Sequence, residues 1–132
     1  MIFIDSNVPM YLVGASHPNR ERAIEIVTRL VREREHLITD VEVYQEILYR
    51  YTAINRHDAI DAAFRTLDAI ADEVLSFGLA EVRAARRLIS LVPPRVSSRD
   101  ALHVAVMRQA GANRILSFDR GFDSCPGIER LC

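Results

Sequence analysis

Short apolar runs alternate with helix-periodic stretches along the whole 132-residue sequence, and that alternation is its strongest constraint. Runs at 1–4, 36–39, 73–77 and 114–118, with a shorter one at 128–131, read as strands. Between them, 20–34 carries a stripe of Ala23, Ile24, Val27, Leu30 and Val31, and 40–54 one of Val43, Ile47, Tyr51 and Ile54. Further helices are expected at 57–71, at 78–91, where Pro93 and Pro94 end the pattern, and at 98–110, closed by Gly111. Strand and helix in alternation imply parallel strands joined by right-handed crossovers with helices on both faces. The expected fold is therefore α/β: a three-layer sandwich whose central, mostly parallel sheet has four to five strands. A hydrophobic content of 49% and a net charge of −1 suit one compact domain spanning 1–132, large enough to bury its own core.

All seventeen basic residues are arginine. Without lysine, Walker-type phosphate loops, Schiff-base aldolases and pyridoxal enzymes are excluded. Haloacid-dehalogenase-type phosphatases and response-regulator receivers fail for the same reason, and the former also expect an acid at position 7, which is Asn. Cys125 and Cys132 lack metal-ligand spacing and read as free thiols in a reducing compartment. The opening MIFIDSN does not resemble a signal peptide, and charges interrupt every apolar run well before a bilayer span, so a cytoplasmic protein without membrane association is expected. One asymmetry stands out. Residues 82–99 hold Arg83, Arg86, Arg87, Arg95 and Arg99 with no acid, and Arg95 and Arg99, close to Asp100, are the candidates to hold a nucleic-acid backbone.

Open α/β sheets gather ligands beyond the carboxyl ends of their strands. Asp5 follows the first strand, Asp119 follows the fourth, Asp100 opens the helix before the fourth, and Glu46 lies at the edge of an apolar helix face. Each acid taken singly has a plain structural reading: Asp5 as the cap of a short helix near Val8, Ser97 and Asp100 as a capping box, Glu46 as the i,i+4 partner of Arg50, Asp119 as a turn residue. Convergence of all four on one sheet end favours a site. Carboxylates brought together raise one another's pKa and call for a cation, and an oxygen-only donor set points to Mg2+ or Mn2+. His103, one turn after Asp100 on the same buried stripe, reads as a satisfied core histidine, with a proton shuttle as the alternative.

The segments MIFIDSNV, TDVEVYQEILYRY, SSRDALHVAVMRQAGANRILSFDRGFD and PGIERL resemble a PIN-domain ribonuclease of the VapC toxin type. The resemblance runs over essentially the whole chain and is most specific in DALHVA followed by ILSFDRGF. It implies a catalytic, metal-holding quartet of Asp5, Glu46, Asp100 and Asp119, with Asn7 and Ser117 as hydrogen-bonding groups behind it. It also implies Mg2+- or Mn2+-dependent hydrolysis of RNA to 5′-phosphate and 3′-hydroxyl ends, a cognate antitoxin, and a homodimer. The alternatives are a housekeeping PIN-domain RNA-processing nuclease and a non-catalytic RNA-binding or interaction domain.

Overall fold

The computed structural model describes residues 1–94 and 96–132. In chain order the elements are β1 (Ile2–Ile4), α1 (Asn7–Val13), α2 (Pro18–Arg32), β2 (Leu37–Asp40), α3 (Val41–Ala53), α4 (His57–Ile70), β3 (Glu73–Leu75), α5 (Leu79–Ile89), α6 (Ser98–Ala110), β4 (Arg114–Leu116) and β5 (Glu129–Leu131). A 3₁₀ turn, Arg120–Ser124, links the last two strands.

The five strands form one sheet in the order β3-β2-β1-β4-β5, and every pairing is parallel. The all-apolar IFI of β1 is central and fully buried, as a strand covered on both faces requires. The edges β3 and β5 carry Glu73, Glu129 and Arg130 and are partly exposed. Right-handed crossovers place the helices before β3 on one face and α5 and α6 on the other. The packing agrees: α1 to α4 touch one another, and α5 lies along α6. Helix α6 is buried on most of its circumference, through Ala101, His103, Val104, Ala105, Val106 and Met107, because α5 covers the side turned from the sheet.

The chain leaves β1 toward β2 and later returns on the other side to β4. The two central strands therefore part company at their carboxyl ends, which is where an open sheet leaves a crevice. Asp5 and Asp119 emerge there.

Two helix stripes differ from the sequence expectation. Helix α2 buries Ala23, Ile26, Val27 and Leu30, whereas Ile24 and Val31 of the expected stripe are 38% and 56% exposed. Consecutive apolar residues fit two adjacent faces, and contact with the sheet selects one. Ile54 caps α3 and is exposed, so the α3 stripe ends at Tyr51. The short helix expected near Val8 is α1, which begins at Asn7 and ends before Gly14.

Candidate active site

The cleft beyond β1 and β4 is a cavity of about 170 Å3 lined by Asp5, Ser6, Asn7, Glu46, Arg50, Ser97, Arg99, Asp100 and Asp119. All four acids singled out in the sequence face it. They arrive from β1, α3, the first turn of α6 and the turn after β4, elements that touch only in the folded chain.

Asp5 is buried, and both of its oxygens accept hydrogen bonds: Oδ1 from the Ser6 backbone at 2.7 Å, Oδ2 from Ser117 Oγ at 2.6 Å and Asn7 Nδ2 at 3.1 Å. It does not cap α1, whose N-cap is Ser6. Asn7 also receives the Phe118 backbone N–H, and Ser117 that of Asp119, so Asn7 and Ser117 tie the end of β1 to the segment after β4. Burial raises the Asp5 pKa; His103, Ser117 and the Ser6 backbone only partly oppose it, and Glu46 adds to it.

Glu46 does not pair with Arg50. Its carboxylate turns inward, where Oε2 accepts from Ser6 Oγ at 2.5 Å and Oε1 lies 3.2 Å from His103 Nε2 and 4.0 Å from Arg99 Nε. Burial alone would raise its pKa, but the His103 and Ser6 hydrogen bonds and the nearby positive charges outweigh burial and hold it below the ordinary value.

Asp100 is buried in the first turn of α6, where its own backbone N–H is capped by Ser97 Oγ at 3.1 Å. Burial, then the charges of Asp5 and Asp119, push its pKa up to about 7. Asp119 combines two roles: its Oδ1 caps the 3₁₀ turn through the Gly121 N–H at 2.8 Å, while the residue stands exposed at the cleft rim. Asp123 is bound instead by Arg130, at 2.9 and 3.1 Å, away from the cleft.

Of the expected backbone-holding arginines, Arg99 lies on the cleft wall with its guanidinium 5.9 Å from the centre of the Tyr49 ring. Arg95 lies outside the described residues.

The sequence reading undervalued one residue and missed another. His103 is fully buried, yet its ring joins the acid cluster: ligand-type atoms of Asp5, Glu46 and His103 lie within 4.8 Å of one another. Its Nδ1 is 2.8 Å from Oδ2 of Asp40, an equally buried acid that the sequence reading treated only as a helix start. Burial would drive the ring neutral, but two carboxylate partners outweigh that and hold its pKa well above the ordinary histidine value. A ring protonated on both nitrogens satisfies both contacts, and in that form His103 offers no lone pair to a metal and sets a positive charge inside the acid cluster. The available signal was a histidine on a buried stripe with Val104 and Met107, which must find polar partners.

A family model described as PIN domain matches residues 2–127. Ribonuclease VapC13 of Mycobacterium tuberculosis is 50% identical over 131 residues, covering 99% of both chains. Among solved structures, VapC20 of the same organism, titled a Sarcin-Ricin loop cleaving toxin, superposes with a TM-score of 0.77 at 22% identity, covering 96% of this chain and 95% of that one. VapBC2 of Rickettsia felis, bound to a fragment of promoter DNA, gives 0.75 at 11% identity over 99% and 98%. These last two likenesses concern the fold.

Proposed function

The chain belongs to the PIN-domain family, among its VapC ribonucleases, and from that premise we propose that it is the toxin of a toxin–antitoxin pair, a Mg2+- or Mn2+-dependent endoribonuclease acting through Asp5, Glu46, Asp100 and Asp119. The observation that carries this reading is the convergence of Asp5, Glu46, Asp100 and Asp119 on one cleft, where burial and then the charges of Asp5 and Asp119 push the Asp100 pKa up to about 7. The groups facing the cleft offer carboxylate and side-chain oxygens without a thiolate, and His103 is committed as a donor, so the donor set fits a hard divalent ion.

Asp5, Asp100 and Asp119 would hold the ion, with Glu46 as the inner wall of the same site. When bound, such an ion supplies a more acidic water and positive charge against the phosphate oxygens. The rest belongs to the chain. Ser117, Asn7 and the Ser6 backbone fix the Asp5 carboxylate in one orientation, so a scissile phosphate meets a preformed arrangement. Ser6 and His103 do the same for Glu46. Asp119, exposed at the rim, is the acid that an entering strand would meet first. The antitoxin is the protein partner that VapC membership brings, and the acid cleft would accept a guanidinium from it as readily as it accepts a metal.

The ends of the cleavage products test this reading. The PIN-domain resemblance implies a 5′-phosphate and a 3′-hydroxyl, the ends left when water attacks phosphorus and the 3′-oxygen departs, so fragments are expected to ligate without kinase treatment. A 2′,3′-cyclic phosphate would mean attack by the ribose hydroxyl and would sink the proposal.

Arg99, on the cleft wall, is positioned to contact the RNA backbone, and Arg95 is proposed with it on sequence grounds alone. Each phosphate contact to a single strand contributes about 0.7 to the slope of log affinity against log salt, so Arg99→Ala is expected to lower that slope by about this amount. An unchanged slope would remove Arg99 from the RNA path.

A further inference from the structure

The buried pair Asp40 and His103 has more chemistry than its structural duties require. Position 40 caps α3: Oδ1 accepts the Val43 N–H at 2.9 Å. Ser, Thr or Asn caps a helix as well as Asp does. The second oxygen of Asp40 serves no cap. It turns to His103 Nδ1 at 2.8 Å, and the opposite ring nitrogen reaches Glu46 Oε1 at 3.2 Å. The imidazole is fully buried and packs against Phe3, with ring centres 5.3 Å apart, so it has one orientation. Replacing a buried ionic triad with apolar side chains is often neutral or stabilising, so stability alone does not account for this arrangement.

We propose that Asp40 and His103 are positioning residues for Glu46: the chain Asp40–His103–Glu46 fixes the direction of the Glu46 carboxylate, and so sets the divalent-cation affinity of the cleft without either residue touching substrate. Carboxylates accept and cannot donate, so each of the two bonds needs a proton on the ring, and Asp40 secures the one on Nδ1. On its other side Glu46 takes the Ser6 hydroxyl at Oε2, and the Ser6 backbone donates to Asp5. The orientation set by Asp40 thus extends across the inner wall of the cleft to Asp5. The inference rests on reading the cleft as the metal site of a ribonuclease.

Asp40→Asn is the informative change. Asparagine keeps the size and the helix cap but presents an amide donor or a weaker, neutral acceptor to His103, removing the charge that secures the ring. Mn2+ binding to the purified protein, followed by calorimetry, and RNA cleavage are expected to fall together by about 10- to 100-fold, the usual cost of disturbing a group that orients a metal ligand. The thermal midpoint in EDTA is expected to fall, because one partner of a buried pair is removed, so Mn2+ affinity is compared at a temperature where each variant is folded. Asp40→Ser, which also caps the helix, guards against an effect peculiar to the amide, and His103→Gln interrupts the chain at its next link.

Weakened Mn2+ binding in any folded variant of the three supports the inference. Mn2+ affinity and cleavage within twofold of the wild type in the folded variants would overturn it, as would loss of folding in all three, which would make the triad structural first. Asp5→Asn is the control for the underlying reading. If that variant cleaves RNA normally, the cleft itself has been misread; if it is inactive while the Asp40 variants behave as wild type, only the positioning role fails.

Discussion

Asp5→Asn is expected to cut RNA cleavage by at least about 100- to 1000-fold while the protein remains folded. The amide preserves the shape of a side chain held from three directions, by the Ser6 backbone, Asn7 and Ser117, so the ends of β1 and β4 stay joined. What disappears is one negative charge and one anionic ligand. A metal ion contributes several kcal/mol to transition-state stabilisation, and each loss of about 1.4 kcal/mol costs tenfold in rate, which sets the magnitude. Circular dichroism and the thermal midpoint in EDTA separate loss of chemistry from loss of fold. A variant retaining a tenth or more of wild-type activity would take Asp5 out of the reaction.

The second large effect is on stability and has the opposite sign. Asp100 titrates near 7 in the metal-free fold against an ordinary aspartate value of 3.8, so its neutral form is favoured by folding. A raised carboxylate contributes stability that is fully present below the unfolded value and is lost as pH rises through the folded one. Metal-free protein should therefore lose stability between about pH 4 and pH 8 on account of this group. Asp100→Asn mimics the neutral form at every pH. At pH 8 it is expected to be more stable than the wild type by about 2 to 4 kcal/mol, with the gain shrinking toward pH 4. Mn2+ should reverse the order by stabilising the wild type more than the variant. Chemical denaturation in EDTA at the two pH values measures the first effect, and repeating it with Mn2+ measures the second. Equal stability at pH 8 would show that Asp100 carries no buried charge.

Such a gain on removing a native residue is the signature of a site kept for function. Much of the architecture was legible in the sequence, while the site was only partly so. Helix α6 was bounded correctly at both ends because local signals mark them, the Ser97 cap and the left-handed Gly111. The strands β3 and β4 ran long in the sequence reading, to Phe77 and Phe118, because a phenylalanine two residues past the last paired position keeps the strand-like alternation. Asp40 was assigned to the helix alone, although it ends β2 and caps α3 at once.

Asp5 and Asp119 could be found because the end of a parallel strand is readable from hydropathy and the fold class places a crevice there, whereas Asp100 and Glu46 were reached through their helices, one opening α6 and the other at the edge of the α3 apolar face. Asp40 and His103 lie 63 residues apart and meet only through packing of α6 over the sheet end, which no periodicity encodes. The same holds for Ser6, whose hydroxyl spans 40 residues to Glu46, and for Arg50, which lines the cleft without pairing with Glu46.

The central claim is that a divalent ion held by these carboxylates cleaves RNA, and it is tested most directly by following cleavage of one labelled RNA by the wild type and by Asp5→Asn before EDTA, in excess EDTA, and after Mg2+ or Mn2+ is restored. Wild-type cleavage should stop on chelation and return with the ion, while the variant stays slow throughout; undiminished wild-type cleavage in excess EDTA would contradict the account.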